Sequence, residues 1–547
     1  MSNVLNSAIF KILFGLSLSV TASSSLALVN ANPAAPFGGN VYKSLKAEPA
    51  TLHPIKSSDL YASIIQGYVM DQMLIRNVNT FEWEPRVATK WEISKDNKVF
   101  TFHLRNDVVF HDGKPLTADD IKFSFDAIFE PKYQAENLRP YYEGIEKVEV
   151  VDPYTIKAYA KDNYFRNFDV IAGLTILPKH IYSDVEKSNK MNKELVGCGP
   201  YVLESYEKGQ KIVLKKFDKW FAKNDEYSKG LFNFERITYR FVKDDNVQLE
   251  MLKKGELDVH DDLNPEQFEL KATGPLWGTS VFKVKAENKS PKSYSFYGWN
   301  MRKDLFKDLN VRLGLAHLLN RDEMNKKFRF GFSYPVAGPL YVQSEYTSPA
   351  VKPILFNPQK AQELFKKAGW VDSDKNGILD KVINGQKVDF KFTLLHSNKD
   401  FEKYHTMYQE ELKKAGVIMD VKYVDWSSFA KNLDEQNFDA VSLRWSAAVD
   451  WDPKQIWHSK SAVKGGSNFA GFMNPEVDKL IDEARVQPDR AKRLKMLRTV
   501  YEKIAEQAPY AFLFNDKFDF YAHTKRVQKP GDTMVYDIGS DFWWIQP

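Results

Sequence analysis

Residues 88–125 read ATKWEISKDNKVFTFHLRNDVVFHDGKPLTADDIKFSF, and few other stretches restrict the fold as much. Phe100, Phe102 and Leu104 alternate with Thr101, His103 and Arg105, which predicts a strand with one buried face. Asp112, Gly113 and Pro115 supply turn chemistry. Thr117 then stands where a helix N-cap belongs, with Asp119 and Asp120 in the first turn, where the helix dipole favours carboxylates. Ile121, Phe125 and Ile128 form the apolar stripe of that helix. The expected order is strand, hairpin, strand, cap, helix, and nothing in it is catalytic.

At 547 residues, 43% hydrophobic and 27% charged, the chain has material for more than one core. Its 77 basic residues nearly balance 72 acidic ones, and no long basic run is present, which argues against a nucleic-acid partner. Aromatic residues make up 14%, enough for large cores and for an aromatic-lined cleft. Lys11 is the only charge before Lys43, an apolar run follows it at 12–20, and small residues come next. Ser25-Leu26-Ala27 and Val29-Asn30-Ala31 fit export cleavage sites, so 1–31 is expected to be a cleavable signal peptide. The apolar run is short for a membrane span. The single cysteine, Cys198, allows no internal disulfide, and none lies near the cleavage site to carry a lipid anchor. A periplasmic, unanchored protein is expected.

Further along, Tyr61, Ile65, Val69 and Met73 are four apart and predict a helix over 61–74. A hairpin is expected around Asp152-Pro153. Strands are expected at 201–206 and 234–241, and a helix over 246–254 ended by Gly255. From 294 onward strands and helices alternate. Asn357-Pro358 caps one helix, ended by Gly369, and two more fall near 475–484 and 490–508. Such alternation points to an α/β sheet covered by helices.

Several blocks resemble the family 5 extracellular solute-binding proteins, the oligopeptide-, dipeptide- and nickel-type receptors of ABC importers. These are the opening segment, GCGPYVLESYEKGQKIVLKKFDKWF, NVRLGLAHLLNRDEM with GFSYPVAGPL, NPQKAQELFKKAGW and NPEVDKLIDEA, in that order. Two longer stretches, GLFNFERITYRFVKDDNVQLEMLKKGELDV and KSAVKGGSNFAGFMNPEVDKLIDEA, are most similar to the branch associated with peptide and microcin-type uptake. The resemblance implies two α/β lobes joined by a hinge, with an extra subdomain in the first and the ligand between them. Mapped onto this chain, lobe I would be 32–60, 197–287 and 515–547, the extra subdomain 61–196, and lobe II 288–514.

Asp450 is the sharpest ligand-binding candidate. It follows the expected strand FDAVSLRW at its C-terminal end, where open α/β sheets present ligands. The resemblance implies that an Asp here, in a motif with an aromatic (Trp451) and a proline, pairs with the ligand's α-amino group. The spacing to Pro453 departs by one residue, which leaves Asp452 as a substitute; a solvated loop carboxylate is the competing reading. Arg444 and Trp445 point to opposite faces of the strand. Arg444 would pair a ligand carboxylate or a structural one. Trp445 shares a face with Val441 and Leu443, and core packing is the favoured reading for it. Trp299 and Asn300 end a strand that the resemblance places beside the cleft, where its backbone can pair with an extended peptide. Tyr61 would lie where lobe I meets the ligand. Core packing competes with each of these. Asp372, Asp374, Asn376 and Asp380 match the opening of a calcium loop with Gly377 in place, but its twelfth position is Ile383 and no second helix follows. A hairpin with Asx turns is the first reading, and a weak structural Ca²⁺ the second.

The expected function is a monomeric periplasmic receptor that captures peptides or peptide-like compounds and delivers them to an inner-membrane ABC permease, with no catalytic residues and no cofactor. A receptor for a metal chelate or oligosaccharide is the alternative. An exported hydrolase is the other, and no nucleophile triad, zinc motif or phosphate loop appears to support it.

Overall fold

The computed structural model describes residues 31–57, 59–135 and 138–546. The expected signal peptide lies outside the described residues except for Ala31. Among the described residues no helix is long and apolar enough to cross a membrane.

A six-stranded sheet organises lobe II, in the order Ser333–Pro335, Tyr510–Asp516, Tyr294–Trp299, Ala440–Trp445, Lys391–His396, Ile418–Tyr423. Tyr294–Trp299 is antiparallel to both neighbours, and Lys391–His396 is parallel to both of its own. Every residue of Tyr294–Trp299 is buried. The reason is a core on each face: Tyr294 and Phe296 pack with Trp457, Phe469 and Ile504, while Tyr297 and Trp299 pack with Phe306, Phe365 and Tyr408. Doubly covered strands read as continuous apolar runs. Helices Leu309–His317, Pro358–Lys367 and Glu402–Lys414 cover one face; Pro475–Arg485 and Arg490–Glu506 cover the other. Asn357 caps its helix as expected, accepting from the Lys360 N–H at 2.9 Å.

Lobe I contains a four-stranded sheet, Asn40–Leu45, Arg236–Phe241, Lys211–Lys216, Tyr201–Glu207, and a three-stranded one, Val259–His260, Asp519–Thr524, Val281–Ala286. A further antiparallel sheet, Ala88–Ile93, Val99–Leu104, Thr155–Ala160, Ile145–Asp152, forms the extra subdomain. Its core runs into that of lobe I without a break. In Val99–Leu104 the alternation holds, with Phe100, Phe102 and Leu104 inside. Helix Ala118–Phe129 follows, and the Thr117 N–H donates to Asp120 Oδ2 at 2.9 Å. Between them, the hairpin strand expected around Asp112-Gly113 is reduced to a single bridge between Val109 and Pro115.

The helix expected over 61–74 is shorter, Leu60–Val69. Its end is taken by the turn at 197–199: the Gly199 N–H donates to Val69 O at 3.0 Å. A Cβ on Gly197 would lie 2.2 Å from Val69 O, so the sequence Gly-Cys-Gly lets two backbones meet. Cys198 is fully buried there.

Two segments connect the three-stranded sheet to the six-stranded one, one between Ala286 and Tyr294 and one between Asp516 and Asp519. They are tied together by Lys292, which is 6% exposed. Its ammonium donates to Asn288 Oδ1 and Ser290 Oγ, each at 2.7 Å, and pairs with Asp519. A buried ammonium with all its donors met costs little to keep there.

Candidate functional site

Strand Ala440–Trp445 carries the central side chains to the face between the lobes. Trp445 turns inward, stacked on Phe296 and Phe469, with Nε1 donating to Tyr510 Oη at 3.3 Å. Arg444 turns outward and donates to Asp516 Oδ2 at 2.7 Å. Arg329 pairs with the same carboxylate. Two guanidinium groups on one carboxylate leave a net positive wall. Burial pulls Arg444 down to about 10, Arg329 adds to this, and Asp262 and Tyr404 oppose it.

Asp262 belongs to lobe I, opposite. It pairs with Lys46 at 3.2 Å and keeps 79% of its side-chain surface open. The Lys46 charge holds its carboxyl below the usual range against burial, with further help from Arg444 across the gap. Tyr61 stands in the same group, half-buried, its hydroxyl pushed up by burial while Lys46, Asp262 and Asp245 act on it.

Asp450 lies six residues after Arg444. It is half-buried, and among the described residues its one hydrogen bond is from Tyr346 Oη at 3.3 Å. Its charge reaches Arg76 and Arg166 of the extra subdomain. Arg76 is already paired with Asp169 at 2.8 Å. The Nε of Arg166 is buried without a partner. Burial pulls the Arg166 guanidinium down, but Tyr164, Asp169, Asp452 and Asp450 outweigh it and leave it raised.

Asp452, the alternative anchor, is engaged elsewhere. Its side chain is 6% exposed, pairs with Arg485 at 3.1 Å and accepts from Tyr164 Oη at 2.7 Å. Arg485 also pairs with Glu143 at 3.0 Å, lies over the Tyr164 ring and accepts at its carbonyl from the Phe165 N–H at 2.9 Å. Lys454 pairs with Glu143 too, and Tyr141 donates to Gln455. Residues 140–165 of the extra subdomain are thus latched to 452–485 of lobe II.

Three further candidates are corrected by their burial. Trp299 is 0% exposed and stacked on Phe306, and Asn300 is 2% exposed with Nδ2 donating to Phe438 O at 3.0 Å. Trp451 is 7% exposed against Tyr346 and Tyr501. None offers a ligand a free side-chain surface. Ligating oxygens of Asp372, Asp374 and Asp380 lie within 4.8 Å of one another, and Asn376 bonds only within this loop. The Lys387 ammonium pairs with Asp374 and lies 3.5 Å from Asp380, which puts a positive charge where a cation would go. Cys198 is buried, its thiol pushed up by burial, which disfavours the thiolate.

Lys46, Arg76, Arg166, Asp262, Arg329 and Asp516 were not anticipated from the sequence. Each belongs to no local motif and meets its partners only through the fold.

Residues 82–467 match the family described as bacterial extracellular solute-binding proteins, family 5 middle. The oligopeptide-binding protein AppA of Bacillus subtilis is 29% identical over 93% of this chain and 92% of its own. Its structure in complex with a nonapeptide superposes with a TM-score of 0.82 and 25% identity, covering 94% of this chain and 100% of that one. The periplasmic binding protein DppA of Helicobacter pylori, in complex with peptide STSA, gives 0.80 and 23% over 94% of this chain and 99% of its own. NikZ of Campylobacter jejuni, in complex with Ni(L-His), gives 0.79 and 22% over 92% and 99%. The last two are likenesses of fold.

Proposed function

We propose that this chain, which belongs to the family 5 bacterial extracellular solute-binding proteins, captures an oligopeptide or peptide-like compound between its lobes and hands it to an inner-membrane ABC permease. The observation that carries the ligand reading is the contrast between Asp450 and Asp452. Asp452 is saturated by Arg485 and Tyr164, whereas half-buried Asp450 accepts only from Tyr346 among the described residues and has acceptor capacity to spare. A half-buried carboxylate in that state suits a ligand ammonium, a charge-assisted bond. The paired guanidinium groups of Arg444 and Arg329 suit a ligand carboxylate. Tyr61 would close the cleft from lobe I. That AppA's structure holds a nonapeptide supports the peptide class.

The protein acts as a monomeric periplasmic receptor. Lobe I is assigned to 32–60, 197–287 and 515–547, the extra subdomain to 61–196 and lobe II to 288–514, an assignment supported by the segments from which each sheet draws its strands, save that the lobe II strand Tyr510–Asp516 runs two residues past 514. Native mass spectrometry of protein purified from periplasm, with the released ligand sequenced, tests the reading. Bound short peptides are expected; a bound chelate or sugar would overturn the peptide class while leaving the receptor.

A further inference from the structure

Away from the interlobe cleft, lobe II holds a cavity of about 320 Å³. It lies between helices Leu309–His317 and Arg490–Glu506 and strand Tyr510–Asp516, under the irregular segment at 350–354. A volume of this size is at the lower edge of small-molecule pockets, and room for about ten waters at roughly 30 Å³ each. Its walls are apolar at Leu313, Val336, Ile354 and Phe512.

One wall is unusual. Arg321 is 5% exposed and has no carboxylate within ion-pair distance among the described residues. Its Nε donates to Phe512 O and Nη1 to Ile354 O, each at 2.5 Å, while Nη2 makes no hydrogen bond among the described residues. A buried cation held by carbonyls has no direct ion pair, and burial pulls it down to about 10 against the opposing effect of Tyr408 and Asp322. On the facing helix, half-buried Glu502 and exposed Glu506 line the same cavity, as does exposed Lys352 from the covering segment; Glu502 accepts from Ser348 Oγ, and Glu506 forms no ion pair among the described residues. The spare Nη2 of Arg321, the Lys352 ammonium, two carboxylates and apolar walls complement a small zwitterion with an apolar side chain.

We propose that this cavity is a second ligand site, which takes a small apolar α-amino acid with its carboxylate on Arg321 and its ammonium on Glu502 and Glu506. The site is independent of the interlobe reading. The test is calorimetric titration of the ligand-stripped full chain with L-leucine and with 4-methylpentanoate, which lacks the amino group. Leucine is expected to saturate the wild type and the Asp450→Asn variant alike. The deaminated acid should bind at least about tenfold more weakly, about 1.4 kcal/mol. Ala505→Leu, which fills the cavity with a good helix former, should weaken leucine by at least about tenfold, roughly the same free energy, while peptide capture persists. Glu502→Gln should weaken leucine without touching the packing. Absence of saturable leucine binding overturns the proposal. So does equal binding of the deaminated acid, or leucine binding that survives Ala505→Leu and disappears in Asp450→Asn, which would place it in the cleft.

Discussion

Replacing Tyr164 by Phe removes one oxygen from the latch between the extra subdomain and lobe II. The ring stays under Arg485, at 4.1 Å from its guanidinium carbon, so packing is kept. What is lost is the hydrogen bond to Asp452 at 2.7 Å. Hydrogen bonds to a charged group contribute about 1.5–3 kcal/mol. Asp452 keeps Arg485 and the Lys454 N–H, so no unpaired buried charge remains. The contact joins the extra subdomain to lobe II, and a hinge opening that separates the two would break it. The free energy therefore belongs to closure, and a ligand that binds the closed form pays it as reduced occupancy of that form. Apparent Kd should rise about 10- to 100-fold, while the melting temperature of the ligand-free protein stays put. Calorimetry with the natural ligand and a thermal melt of stripped protein measure both. A Kd within about twofold of wild type, roughly 0.4 kcal/mol, or an equal loss of stability in stripped protein, would refute the latch as a closure device.

Asp450→Asn should weaken capture of a peptide by about 1.5–3 kcal/mol with no change in the ligand-free melt, read by the same titration. Acidification should destabilise the fold through buried neutral histidines. His53 is lowered to about 4 by burial and then Lys56, and His405 to about 3 by burial and then His396. Both are 0% exposed, and His53 Nδ1 accepts from the Ile55 N–H, which requires the neutral ring. Their stabilisation is complete above pH 6.5, the unfolded value, and falls by about 2 kcal/mol each by pH 5. Asp541, pushed up to about 6 by burial and then Asp537, acts in the opposite sense. Urea midpoints at pH 7 and 5 for wild type and His53→Gln isolate the histidine, and equal pH slopes would contradict it. Gly314→Ala should destabilise lobe II by about 1–3 kcal/mol by overpacking, although alanine is the better helix former, because its Cβ would lie 2.5 Å from the Phe365 ring. Melting temperature should be the same in calcium and in EDTA, since the Lys387 ammonium already pairs with Asp374 and lies beside Asp380; a calcium-dependent rise would show a bound ion.

Much of the fold was legible where local chemistry decides it. The Asn357-Pro358 cap, the alternation at Phe100, Phe102 and Leu104 and the apolar run at 294–299 each carry their own signal. The helix over 61–74 was overestimated because its stop is a distant glycine turn at 197–199, invisible in local periodicity. The site was half legible. Strand-end position singled out Arg444 and Asp450, but the choice between Asp450 and Asp452 depends on Tyr164 and Arg485, 288 and 33 residues from Asp452. Trp299 and Asn300 were misplaced for a related reason. The end of a strand in a sheet covered on both faces is interior, and sequence does not say how far the covering helices extend.

The central claim is that Asp450 receives the ligand's ammonium. Once the natural peptide is known, its affinity is compared with that of its N-acetylated form. Loss of the ammonium should weaken binding by about 1.5–3 kcal/mol, and that difference should vanish in Asp450→Asn. Equal affinities of the two forms in the wild-type protein would contradict the account.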